Sequence, residues 1–348
     1  MKIGVICFTS RGCELAKRIA DVLNDDECEV FSKTSASCVG TVPVEGSAGK
    51  WTEEAFRRYR GVVFVGALGI AVRYIAPHIT SKTVDPAVVC VDERGRYAIA
   101  VLSGHIGGGN LLAGRIAEGI GAEAVITTAT DLGGLFSVDS YATARNMHIG
   151  SLSIAKDVSS LIVDGKSVGI LSELPVAGAA PPELVPSDAG DVGIYISFRN
   201  SPGPFGRTLK LTPRCHVLGV GCRRGVPRDV IERVVRSVLT DNDVSFHSIR
   251  MVASIDLKSN EAGLIEFCSA HGFESKFFTA EALASVRDMG FSSSERVKAA
   301  TGVDNVCERA AVAAASEDGF LAVRKTCMDG VTVAVVREPA AMDFGDVR

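Results

Sequence analysis

Residues 66–131 read GALGIAVRYIAPHITSKTVDPAVVCVDERGRYAIAVLSGHIGGGNLLAGRIAEGIGAEAVITTATD. Apolar runs at 62–65, 87–91, 97–102 and 124–127 have the length and β-branched content of strands buried on both faces. Each run stops at a polar, charged or glycine-rich segment, and residues 111–120 have helical period before the stop at Gly121. The pattern predicts an open α/β sheet. The segments at its strand ends gather Arg73, Lys82, Asp85, Asp92, Glu93, His105, Asn110 and Asp131. In such sheets ligands bind beyond the carboxyl ends of the strands. This stretch is therefore expected to hold an active site for an anionic small molecule.

Working outward, residues 2–8 read as a buried strand, 9–12 as a turn and 13–23 as a helix, which makes the first domain Rossmann-like and doubly wound over residues 1–133. A helix is expected over 51–59, with Thr52 as a candidate cap. Residues 134–205 change character: short β-rich pieces alternate with PVAGAAPPELVPSDAG (175–190), and 199–207 reads as a linker. They predict a small intermediate domain. A second α/β domain is expected over 206–340, opening with one strand over 208–220, and residues after Pro339 read as a loose tail.

The 348 residues are 47% hydrophobic, enough for several packed cores, with net charge −4 and pI about 5.9. That balance gives no reason to expect nucleic acid or an anionic membrane as partner. None of the ten cysteines forms a CxxC pair, and several lie in apolar runs, as Cys90 and Cys268 do. Buried, reduced thiols and a soluble, cytoplasmic setting are the expectation. The six histidines show no ligand spacing, so no metal site is expected.

The loop 103–110, SGHIGGGN, precedes a helix. It lacks the Lys-Ser/Thr of a P-loop, and it is neither GxGxxG nor a nucleophile elbow. His105 lies within it and is the first candidate for a general base, since histidine suits proton transfer near neutrality. Asp85 and Asp131 are candidates to orient it or to act as acid, with helix capping the competing role for Asp131. Backbone N–H groups of Gly107, Gly108 and Gly109 are candidates for an oxyanion hole. Gly66 and Gly69 permit a tight strand–helix turn or close approach to a ligand. Strand–GxGxxxG–helix at Gly219, Gly221, Cys222, Arg223, Arg224 and Gly225 admits two readings: a dinucleotide site with Asp256 on a ribose, or a carboxylate site using the arginine forks.

Several of these segments together resemble the CbiG family of cobalamin biosynthesis. GALGIAVRYIAP, KTVDPAVVCVDERGRYAI, VLSGHIGGGNLLA and ITTATD resemble its amino-terminal domain. LGVGCRRGVP, ASIDLKSNEAGLIEF and GVTVAVV resemble its carboxy-terminal domain, which also occurs alone as CobE-like proteins. The resemblance implies cobalt-precorrin-5A hydrolase activity: the δ-lactone closed by the ring A acetate is opened, and C20 leaves with its methyl group as acetaldehyde. The substrate would be a flat, polycarboxylate cobalt-corrinoid, held by Arg73, Lys82, Ser103, Asn110, Arg223, Arg224 and Lys258 beside the glycine loops and Cys222. Cobalt would arrive in the substrate, so no cofactor is expected. The implied partners are neighbouring pathway methyltransferases, and a homodimer is an open expectation. A non-catalytic corrinoid carrier and a nucleotide-dependent enzyme remain the alternatives.

Overall fold

The computed structural model describes residues 1–34, 38–81, 84–105, 107–127 and 135–345. The described residues form two compact units, the first of residues 1–144 with 162–164 and the second of residues 145–161 with 165–345. The architecture is mixed α/β, with mostly parallel sheets, as the sequence predicts.

The first unit is a seven-stranded sheet in the order β3-β2-β1-β4-β5-β6-β7. Its centre is β1 (Lys2–Cys7), β4 (Gly61–Val65) and β5 (Ala87–Val91), mutually parallel. β4 and β5 are buried along their whole length, which is why they read as unbroken apolar runs. β2 (Glu27–Ser32) and β3 (Val42–Pro43) extend one side, while β6 (Tyr97–Leu102) and β7 (Glu123–Val125) extend the other. Helices α1 (Ser10–Val22) and α4 (Gly109–Ile120) share a core with Val5, Val63 and Val89 on one face. Helices α2 (Ala48–Arg58) and α3 (Leu68–Ile75) share one with Ile6, Phe64 and Val88 on the other. The alternation of neighbouring residues between the two cores is the period of two of a strand.

Three local expectations change. Helix α2 starts earlier than predicted, because Ser47 accepts the Lys50 N–H at 3.2 Å and is the cap. Thr52 is buried inside the helix and donates back to the Ala48 carbonyl at 2.8 Å. Cys13 and Cys38 form a disulfide, with Cα atoms 6.2 Å apart, whereas Cys90 and Cys268 are buried free thiols as expected. Cys13 lies in the first turn of α1 and Cys38 follows β2, so the β1-α1-β2 unit brings together residues that no CxxC spacing announces.

The second unit holds two five-stranded sheets and a short two-stranded one. The intermediate sheet runs β11-β9-β12-β13-β8, from β8 (Met147–Ile149), β9 (Val168–Ser172), β11 (Leu184–Pro186), β12 (Val192–Ile196) and β13 (Arg207–Pro213). The strand expected over 208–220 is two strands in different sheets. Pro213 ends β13, and β14 (His216–Cys222) opens the C-terminal sheet. That sheet runs β16-β15-β14-β18-β17, with β15 (Ile249–Ile255) and β16 (Glu274–Phe278) parallel to β14, and β18 (Val331–Arg337) antiparallel between β14 and β17 (Phe320–Met328). Among its helices are α7 (Arg228–Asp241) and α8 (Ala262–His271) on one face, and α10 (Glu295–Thr301) and α11 (Cys307–Ala314) elsewhere around it. The expected loose tail is partly ordered: β19 (Met342–Asp343) pairs in parallel with β10 (Val176–Ala177).

Candidate functional site

Two groups of candidate residues stand out, one in each unit. In the first, β6 decides the geometry. It returns antiparallel to β5, pairing Val88 with Leu102 and Val91 with Ala98. The loop after β6 therefore emerges at the amino ends of the parallel strands, opposite the loops after β1, β4 and β5. The candidates expected at one carboxyl-end crevice are split. Gly66, Gly69, Asp92 and Glu93 lie at the carboxyl end, where Thr9 bonds Glu93. Asp85 and Ser103 lie at the other end, joined by the Ser103 hydroxyl donating to the Asp85 carbonyl at 3.1 Å. Arg73 is exposed in the last turn of α3. Lys82 and Asp131 lie outside the described residues.

The glycine loops are less open to a ligand than their composition suggests. Gly66 donates its N–H to Val91 O at 2.9 Å, extending the sheet. Gly69 has open space around it and no positive φ, so nothing local demands glycine there. In the second loop Gly108 donates to His105 O (2.9 Å), Gly109 to Ser103 O (3.0 Å) and Asn110 to Gly104 O (2.9 Å). The oxyanion hole expected from Gly107–Gly109 thus has two of its three donors committed to the loop itself. The closure is tight: a Cβ on Gly107 would sit 2.4 Å from that of Ser103. Ser103 takes φ 54°, a left-handed conformation that costs a non-glycine residue about 1 kcal/mol or more and clusters at functional sites.

His105 sits in this closed turn, half-buried. Its Nδ1 is 2.7 Å from Ser140 Oγ and 3.3 Å from Ser137 Oγ, and Ser137 donates to Ser140 at 3.1 Å. The serines belong to the start of α5 (Val138–Ala144). Among the described residues the Asp85 carboxylate bonds the backbone of its own loop. Its two carboxylate oxygens both accept the Thr80 N–H at 3.0 Å, closing the loop before β5. Serines at a helix start look like caps in a sequence, so Ser137 and Ser140 gave no sign of touching the histidine.

The second group surrounds a cavity of about 680 Å³ at the carboxyl ends of β14 and β15. Gly221, Cys222, Arg223, Arg224 and Lys258 all line it, whereas Gly225 and Asp256, named with them for a dinucleotide, do not, so the side chains of the carboxylate reading are brought together. Gly219 is also absent from the lining. A Cβ there would lie 1.9 Å from the Cys307 carbonyl oxygen, so this glycine admits α11 against β14. Two further cations, Arg296 from α10 and Lys325 from β17, complete a ring of five with no acidic residue in the lining. Ile255, Leu257, Val297, Ala300 and Val306 supply an apolar wall. Burial pushes the Cys222 thiol up, partly offset by Lys258, so it presents a neutral SH.

Supports behind the lining fix its shape. Glu261 accepts the Gly225 N–H and pairs with Lys258 at 2.9 Å, and these contacts hold its carboxyl below the usual range. With Glu261 on Gly225 and α11 against Gly219, the GxGxxxG segment does not offer the open backbone that a pyrophosphate needs. Glu308 is fully buried in α11, accepting Ser292 N (2.9 Å), Ser292 Oγ (3.1 Å), Lys325 N (3.0 Å) and the Asn305 amide. It ties the segment leading into α10 to β17, and so holds Arg296 and Lys325 in one wall. Among the described residues no group of three or more His, Cys, Asp or Glu side chains is gathered as for a metal ion. No helix among them is long and apolar enough to cross a membrane.

Three family profiles match the chain in succession: "Cobalamin synthesis G N-terminal" over residues 50–131, "Cobalamin biosynthesis central region" over 136–213 and "Cobalamin synthesis G C-terminus" over 216–336. A cobalt-precorrin-5A hydrolase of Salmonella typhimurium is 34% identical over 330 residues, covering 89% of this chain and 90% of that protein. A cobalt-precorrin-5A hydrolase of Priestia megaterium is 27% identical, covering 96% and 94%. Protein CobE of a Sinorhizobium species is 29% identical over 119 residues, 34% of this chain and 77% of its own length. With all three regions present in order and a relative this similar along nearly its whole length, the chain belongs to the cobalamin-synthesis G (CbiG) family, with a CobE-like C-terminal domain.

Proposed function

We propose that the chain is a cobalt-precorrin-5A hydrolase, and that its C-terminal cavity receives the carboxylate-bearing edge of the corrinoid. The observation that carries the site assignment is the five-cation, acid-free lining against an apolar wall. A flat macrocycle with acetate and propionate arms presents the complementary surface, and guanidinium forks pair with carboxylates bidentately. The volume is that of small-molecule sites.

The reaction has two stages. Water adds to the lactone carbonyl, the ring C–O bond breaks, and the departing oxygen takes a proton. The freed hydroxyl then loses its proton, the carbon–carbon bond to the macrocycle breaks, and acetaldehyde leaves. The electron pair stays on the macrocycle, which takes up a proton. His105 is the proton-transfer residue of this scheme, supported by its place in a strained, closed loop with hydroxyl partners on Nδ1. Cobalt is part of the substrate. The enzyme works in the cytoplasm, between methyltransferases that supply and consume corrinoid intermediates, and a homodimer is the assembly to test by sedimentation.

The test is anaerobic incubation of the purified chain with cobalt-precorrin-5A, trapping volatile aldehyde and following product mass. Acetaldehyde with loss of the C20 fragment is expected. Tight binding without acetaldehyde would overturn the hydrolase in favour of a corrinoid carrier.

A further inference from the structure

We infer that the first unit carries an anion site of its own, a cleft between helix α1 and the β5–β6 turn whose arginines bind a compact, hydrophilic, multiply charged oxyanion: a polyphosphate group or a small polycarboxylate. The inference goes beyond the hydrolase reading and does not rest on it. The cleft encloses about 540 Å³ and lies where α1 follows β1 and the turn follows β5, at the carboxyl ends of both strands. That is the end of an open α/β sheet where ligands bind. Arg11 and Arg18 line it from one stripe of α1, and Arg94 and Arg96 line it from the turn.

Two carboxylates share the lining, and both have partners. Thr9 donates to Glu93, and Lys17 pairs with Glu14 at 2.9 Å. Among the described residues no carboxylate is paired with any of the four arginines, and Arg18 donates to the Ile120 carbonyl at 3.4 Å. In a chain of net charge −4, four guanidinium groups are thus left to repel one another across one opening. An entering anion relieves that repulsion.

The turn holds its two arginines on a fixed backbone. The Asp92 carboxylate accepts the N–H groups of Arg94 (3.0 Å), Arg96 (2.6 Å) and Tyr97 (2.7 Å), and Gly95 donates to the Asp92 carbonyl at 2.8 Å. Gly95 takes φ 65°, and a Cβ there would sit 3.1 Å from the Leu15 side chain. The turn therefore lies directly on the stripe of α1 that carries Arg11 and Arg18. Groups fixed in advance lose less freedom when a ligand binds. The class of ligand follows from what the lining lacks. Leu15 is its only apolar member and is buried, so a flat macrocycle has no surface to lie on, in contrast to the C-terminal cavity. Guanidinium forks match phosphate and carboxylate oxygens alike.

The test is isothermal titration calorimetry of the full chain at low ionic strength, with inorganic pyrophosphate and, separately, with citrate. Both anions also fit the cations of the C-terminal cavity, so variants locate the binding. Arg94→Gln/Arg96→Gln is expected to weaken one binding event about tenfold. The melting temperature should hold, since both side chains are exposed. Arg296→Ala/Lys325→Ala should leave that event intact. Whichever anion binds this site more tightly tells polyphosphate from polycarboxylate. Asp92→Ala separates a shaped site from simple charge. Removing this carboxylate makes the region more positive, so a diffuse patch would bind more tightly. A site that depends on the fixed turn is expected to bind about threefold more weakly. The inference is overturned if neither anion binds, if every binding event survives Arg94→Gln/Arg96→Gln, or if Asp92→Ala leaves the affinity unchanged or raises it.

Discussion

Replacing Gly219 by alanine separates a packing glycine from a ligand-facing one. The added Cβ would lie 1.9 Å from the Cys307 carbonyl oxygen and 2.9 Å from the Ala311 Cβ. Carbon–oxygen contacts settle near 3.3 Å, so α11 would have to move by roughly 1.4 Å. The obstructing atom is backbone in the first turn of a helix packed on β14, β15 and β18, and no side chain can swing away. Overpacking of this kind costs roughly 1–3 kcal/mol, occasionally more, and a shift this large belongs at the upper end, about 3 kcal/mol. Gly221→Ala is the control. Its Cβ would crowd Thr332 Oγ1, at 2.5 Å, the end of a side chain in the cavity lining, and otherwise make ordinary contact with Val306 at 3.9 Å. In urea unfolding of the full chain, Gly219→Ala should lower the midpoint of the C-terminal domain by roughly 1 M. Gly221→Ala should leave the midpoint nearly in place and raise KM for the corrinoid. An unchanged midpoint in Gly219→Ala together with lost substrate affinity would refute the packing argument and return Gly219 to the ligand.

Further expectations follow from the same contacts. Arg296→Ala and Lys325→Ala should each raise KM about tenfold with kcat little affected, since each removes one charge-assisted contact to a carboxylate arm, and added salt should reproduce part of the effect. Glu308→Ala should cost about 1–3 kcal/mol in unfolding experiments, because it strands the buried Asn305 amide and removes the acceptor of the Ser292 and Lys325 N–H groups. His216 is fully buried, and burial first, then Arg337, pushes its pKa down to about 4; His148, stacked 3.6 Å from His247, is pushed equally low. The unfolded chain therefore binds more protons between about pH 6.5 and 4, so stability is full above that window and lost as pH falls through it. His216 alone should account for about 2–3 kcal/mol by pH 4.5. Calorimetry from pH 7 to 4.5 checks this, and a flat melting temperature would contradict it.

What the sequence makes legible follows from how each signal arises physically. β4 and β5 announce themselves because strands buried on both faces must be continuously apolar, and the 92–96 turn announces the hairpin. The hairpin's consequence, that β6 carries His105 and Ser103 to the far end of the sheet, is a matter of strand direction. Apolar period carries no sign of it. The C-terminal cavity was half legible, since Arg223, Arg224 and Lys258 sit at strand ends where ligands are expected. Arg296 and Lys325 come from elements whose charged residues look like ordinary solvated surface, and only the buried Glu308 joins them. Glycine is the most ambiguous residue of all: Gly219 and Gly221 are two positions apart, yet one faces a helix and the other a cavity.

The pairing of β10 with β19 bears on how this protein is made. Met342 donates its N–H to Pro175 O at 2.7 Å, and Arg145 reaches the Asp343 carbonyl at 2.9 Å, so the intermediate domain takes its last partners from beyond the C-terminal sheet. On the ribosome, that domain must wait with Val176 and Ala177 unpaired until the whole C-terminal sheet has been synthesised. The C-terminal domain is thus threaded between two halves of one contact. A nascent chain stalled before Met342 would carry an open strand edge, the kind of surface that chaperones bind.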